Sequence, residues 1–86
     1  MIKRPKKQRT SAQTSGDKVI NQVIGARIAA KRRAMGMDMA EFSAKIGVSL
    51  GQLSRYESGE TPLRITMITF IARHLGCKAG ELVDGE

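Results

Sequence analysis

The chain has 86 residues and 9.4 kDa, room for one small domain of roughly 60 to 70 ordered residues plus a tail, and too little for most enzyme architectures. Fifteen Lys and Arg against eight Asp and Glu leave a formal charge of +7, so a polyanionic partner is the first physical expectation. A single cysteine, Cys77, and a single histidine, His74, without metal-ligand spacing exclude a disulfide scaffold and a zinc finger, and neither a metal nor a cofactor is expected.

Residues 1–18 carry Lys3, Arg4, Lys6, Lys7, Arg9 and Lys18 against Asp17, with almost no large aliphatics. Such a stretch cannot bury enough apolar surface to fold and reads as a flexible, disordered basic arm, with residues 19–86 as the folded domain. Aromatic residues are few, Phe42, Tyr56 and Phe70, so the core must be aliphatic. No apolar run approaches a membrane span and the basic start lacks a signal-peptide core, which gives a cytoplasmic expectation.

From Val19 onward, periodic segments are punctuated by Gly36, Gly47, Gly59 and Gly76, positions where helices end with positive φ. Ile20, Ile24 and Ile28 recur every four residues, with Arg27, Lys31 and Arg32 between them, and predict an amphipathic first helix ending near Met35. Asp38 with Glu41 three residues on is a capping-box start for a second helix bearing Phe42 and Ile46. Ser49 with Gln52 repeats the signal for a third, through Leu53 and Tyr56 to Ser58. Ile65, Ile68, Ala72 and Leu75 hold one face of a fourth helix, although alternation from Ile65 to Ile71 competes with that reading. Residues 79–83 add a short fifth turn. The fold class expected is therefore all-α, a compact five-helix domain.

The second and third helices are joined by only about three residues, which is the form of a helix-turn-helix. Phe42, Ile46, Val48 and Leu53 would pack inward while Gly47 makes the turn, leaving the start of the third helix projecting. A helix so presented fits the major groove of DNA, about 12 Å wide, and its N-terminal N–H groups suit phosphate.

Residues 24 to 83 resemble the Cro and repressor (Xre-like) helix-turn-helix family. The likeness rests on Ile24-Gly25 with Ile28 and Arg32, on Gly36-Met37, on Gly47-Val48-Ser49, on Tyr56-Glu57-Ser58-Gly59, and on Ile71-Ala72-Arg73-His74-Leu75-Gly76 with Glu81-Leu82. The resemblance implies a DNA-binding domain, usually dimeric on a palindromic operator, and with it a sequence-specific transcriptional regulator of the repressor type. It places base contacts on Leu50, Gly51 and Arg55, and backbone or supporting contacts on Ser49, Gln52, Ser54, Ser58 and Arg64. It also pairs Arg32 with Glu57 as a structural ion pair. The family usually has polar residues where Met39, Leu50 and Gly51 stand here, which makes direct polar readout thin and leaves Arg55 as the one long donor suited to guanine.

Each of these residues also has a plainer reading. Ser49 and Gln52 serve as a helix cap, Arg55 as a solvated charge, Tyr56 as a partly buried side chain, and His74 as a rim histidine. Arg27, Lys31, Arg33 and Lys45 read as solvated charges that steer DNA; Met35, Met37 and Met67 as fillers of the core; Cys77 as a core thiol. The basic arm, Lys3, Arg4, Lys6, Lys7 and Arg9, is either a solvating tail or a groove-following contact. Phe70, Leu82 and Val83 are candidates for a homodimer surface. An alternative to DNA reading is a protein-interaction module or antitoxin-like subunit that uses exposed Leu50 and Met39 to hold a partner. No paired acidic residues and no spare core support an enzyme.

Overall fold

The computed structural model describes residues 15–85, with side chains from residue 18 onward, so Lys3, Arg4, Lys6, Lys7 and Arg9 lie outside the described residues. Five helices follow one another: α1 (Ser15–Ala34), α2 (Met39–Ile46), α3 (Leu50–Ser58), α4 (Ile65–His74) and α5 (Ala79–Val83). No strand occurs among the described residues, so the competition over Ile65 to Ile71 resolves to helix.

The local signals for α2 and α3 act as their chemistry dictates. Asp38 accepts from the Glu41 N–H at 2.7 Å while the Glu41 carboxylate accepts from the Asp38 N–H at 3.2 Å, a reciprocal capping box that opens α2. Ser49 Oγ accepts from the Gln52 N–H at 3.0 Å and opens α3. Between them Gly47, at φ 76°, reverses the chain in a conformation that an L side chain resists. The two helices are thus joined by Gly47, Val48 and Ser49 alone.

The core draws one face from every helix. Ile24 and Ile28 of α1, Phe42 and Ile46 of α2, Leu53 of α3, Ile68, Ile71 and Ala72 of α4, Leu75 and Leu82 form one apolar cluster, with Val48, Met37, Met67 and Cys77 packed on its edge. Phe42, Ile28, Leu53, Ile71 and Leu82 are wholly out of water, each worth about 1.5 to 3 kcal/mol of burial. Gly25 lets α1 cross α3 in direct backbone contact: a β-carbon there would lie 2.5 Å from the Glu57 carbonyl oxygen and closer still to that of Tyr56.

Several residues sit elsewhere than periodicity places them. Helix α1 begins at Ser15, inside the stretch read as arm, because extending a formed helix is far easier than nucleating one. Its first turns carry no core: Ile20, in register with Ile24 and Ile28, is 52% exposed, since those turns run past the elements that α1 packs against. Ile65, at the start of α4, is likewise exposed, and Ile71 takes the inner position instead. Met35 is exposed just after α1 and fills no core. Leu82 is fully buried and belongs to the core, not to a surface available for a second copy, which leaves only Phe70 and Val83 of that trio at the surface.

Candidate nucleic-acid interface

Helix α3 is divided by burial into two faces. Leu53 and Tyr56 point into the core, and at about 100° per residue the opposite direction is centred on Gly51, flanked by Ser54, Arg55 and Ser58. All four are exposed, as is Leu50 on the shoulder of this face, 53% of whose surface meets solvent; Gln52, on the other shoulder, is half-buried. The face is therefore short-chained except at Leu50 and Arg55, and it projects from the N-terminal end of the helix.

Arg55 combines a fixed backbone with an unrestrained charge. Its carbonyl accepts from the Glu60 N–H at 3.0 Å, the Thr61 N–H at 3.3 Å and the Ser58 hydroxyl at 3.2 Å, which folds the loop after α3 back onto the helix end. Its guanidinium has no carboxylate within ion-pair distance among the described residues, and it leans toward the start of the helix, so that Nη1 lies 3.9 Å from where a β-carbon on Gly51 would stand. Ser49 uses its oxygen as a cap acceptor, yet its O–H remains free to donate. Ser58 is spent locally, donating to the Arg55 carbonyl and accepting from Glu60 N–H at 3.4 Å. Arg64 is exposed at the N-cap of α4 and makes no capping hydrogen bond with its side chain.

The angle at which α3 is presented is set by Arg32 of α1. Its Nε donates to Glu57 Oε2 at 2.7 Å, its Nη2 to Glu57 Oε1 at 3.1 Å, and its Nη1 to the Met37 carbonyl at 2.9 Å. One guanidinium therefore joins α1, the turn before α2, and α3. The Glu57 hydrogen bond, with the carboxylate's charge, raises the Arg32 pKa further above its ordinary value against the opposing effect of burial.

Arg27 and Lys31, read from sequence as solvated charges, are instead structural ties between α1 and α5. Arg27 Nη1 donates to the Leu82 carbonyl at 3.1 Å and the Val83 carbonyl at 2.7 Å, closing the C-terminal end of α5, and Lys31 Nζ meets Glu81 Oε1 at 3.0 Å. Nothing local in the sequence marks these partners, which lie at least fifty positions away. Arg33 and Lys45 are exposed. Tyr56 is buried and offers no stacking surface. His74 is half-buried and packs on Phe70, its Nδ1 3.1 Å from the Phe70 carbonyl. Met39 is partly buried against the core, and burial pushes the Cys77 thiol up from its ordinary pKa. No group of three metal-ligating side chains converges among the described residues, and no described helix is long and apolar enough to cross a membrane.

This tight two-helix unit, with one helix held by a buried ion pair and presenting its N-terminal face, coincides with a known family: the helix-turn-helix sequence profile matches residues 28–82. The chain belongs to the helix-turn-helix family. It is of the Xre/Cro-like kind, a DNA-binding domain, with α2 and α3 as its helix-turn-helix and α3 in the position of the recognition helix. The apo form of the competence regulator ComR from Streptococcus vestibularis is similar in structure, with a TM-score of 0.67 and 28% sequence identity. The similarity covers 78% of this chain and 23% of the ComR chain, so this helix-turn-helix domain spans less than a quarter of that regulator. No curated protein matches the sequence.

Proposed function

We propose that this helix-turn-helix chain is a sequence-specific double-stranded DNA-binding transcriptional regulator, repressor-type and homodimeric, acting in the cytoplasm where the DNA lies. The observation that carries the reading is the exposed face of α3, where Leu50, Gly51 and Arg55 stand clear of the core on a helix whose angle is locked by Arg32 and Glu57. In this reading α3 enters the major groove. Leu50, Gly51 and Arg55 meet base edges, while Ser49, Gln52, Ser54, Ser58 and Arg64 serve the phosphate backbone or support those contacts. The net charge of +7 draws the domain to DNA before any base is read, with the basic arm following the backbone or the minor groove. Two copies would set their recognition helices in successive major grooves, about 34 Å apart.

Exposed Leu50 favours a second reading, in which the same scaffold holds a protein partner in the manner of an antitoxin-like subunit. Selection from a pool of randomised duplex DNA at near-physiological salt, repeated with Arg55→Ala, separates the two. Enrichment of an inverted repeat that weakens in the variant supports the dimeric, base-reading regulator. Binding without enrichment that vanishes as salt rises overturns it and turns the search to a protein partner.

A further inference from the structure

Gly51 has no explanation within the free chain. It sits inside α3, where glycine weakens the helix by up to about 1 kcal/mol relative to alanine, and it is not among the positive-φ glycines. Nor does packing require it, as packing requires Gly25: a β-carbon at position 51 would meet only Arg55 Nη1, at an ordinary 3.9 Å. Gly80 of α5 is equally open, but it lies away from the exposed face of α3, whereas Gly51 is at the centre of that face. The result is a notch one side chain deep. Leu50 walls it with hydrocarbon on one side, and the Arg55 guanidinium bounds it on the other.

A notch floored by bare backbone, with an apolar wall and a forked cationic donor beside it, has a definite complement in the major groove. The apolar wall suits the C5-methyl group of a pyrimidine, and the guanidinium suits the O6 and N7 acceptors of guanine. The groups are a few ångströms apart, so the two targets must be adjacent base pairs. Resting on the reading of α3 as the base-contacting helix, we propose that Leu50 and Gly51 form a pocket for the C5-methyl group of a pyrimidine next to a guanine held by Arg55. The specificity of this domain therefore includes a methyl group, and thymine and 5-methylcytosine are its two possible sources.

The test uses the full chain and the duplex enriched by selection, with each thymine replaced singly by uracil, which removes the methyl group and nothing else. One replacement beside a guanine is expected to weaken binding about fourfold, the equivalent of one methyl group left in water. The same replacement should be silent for Leu50→Ala, which removes the wall, and for Gly51→Ala, which fills the notch and leaves the fold intact or more stable. At that position, a cytosine-guanine pair and its 5-methylcytosine form then separate the sources. Recovery on methylation includes methylated cytosine in the specificity, and no recovery restricts it to thymine. An enriched site indifferent to uracil at every thymine beside a guanine overturns this inference alone. Failure to enrich any site overturns the base-reading function on which it rests.

Discussion

Arg32 grips Glu57 at two points, Nε to Oε2 at 2.7 Å and Nη2 to Oε1 at 3.1 Å, with both side chains less than one-tenth exposed. A pair so far out of water is expensive to break from one side, because the survivor is left charged without a partner. Glu57→Ala is expected to destabilise the domain by about 3 kcal/mol, read as a lower urea midpoint. Joint replacement, Arg32→Met with Glu57→Leu, should cost less than Glu57→Ala alone, since no buried charge remains. Additive losses in the double variant would show that the ion pair is not a coupled unit.

The closest approach in the fold is between α1 and α3 at Gly25, where an added β-carbon would strike the backbone carbonyls of Tyr56 and Glu57. Backbone atoms cannot rotate away as a flexible side chain can. Gly25→Ala should therefore cost about 3 kcal/mol by prising the helices apart, against a gain for Gly51→Ala, where the space is open. Thermal melts of the two variants should move in opposite directions; a Gly25→Ala melt equal to that of the parent would contradict the packing.

Much of this architecture is legible in the sequence because its signals are local. Asp38 and Glu41, or Ser49 and Gln52, are three residues apart, and the cap they form depends on little beyond that spacing. Ile20 is the counterexample. It shares the helical register of Ile24 and Ile28, yet its burial depends on how far the neighbouring helices reach, which periodicity along α1 does not encode. Arg27 and Lys31 fail for the same kind of reason, since their partners on α5 come from the far end of the chain. The openness of Gly51, too, is a property of the assembled surface: spacing identifies the helix, but only the fold distinguishes a glycine needed for packing from one that is not.

The Glu81 carboxylate is held below its ordinary pKa, chiefly by the Lys78 backbone N–H at 3.2 Å and then by the Lys31 ammonium at 3.0 Å. A carboxylate with a depressed folded-state pKa contributes stability above its unfolded value, about 4.3, and that contribution is lost as pH falls through the folded value. Stability of the parent should thus decline more steeply than that of Glu81→Gln as pH is lowered from about 5 through the depressed value. Urea midpoints taken across that range check this, and parallel curves would remove Glu81 as an acid-sensitive tie between α1 and α5.

Arg55 and Arg64 are both exposed cations without a carboxylate partner among the described residues, but their places in the fold assign them different work. Arg55 lies on the central face of α3, where a guanidinium can reach base edges, whereas Arg64 precedes α4 and faces, in the proposed geometry, the phosphate backbone. A base contact distinguishes sequences; a phosphate contact does not. Arg55→Ala should therefore lower affinity for the selected site roughly 5- to 150-fold more than affinity for random duplex, the span of about 1 to 3 kcal/mol for a good guanine contact. Arg64→Ala should weaken both duplexes alike and reduce the slope of log affinity against log salt by about 1. Titrations of both variants against both duplexes at several salt concentrations distinguish the two roles. Equal losses on the two duplexes for Arg55→Ala would reduce it to a phosphate contact and leave Leu50 and Gly51 to account for specificity.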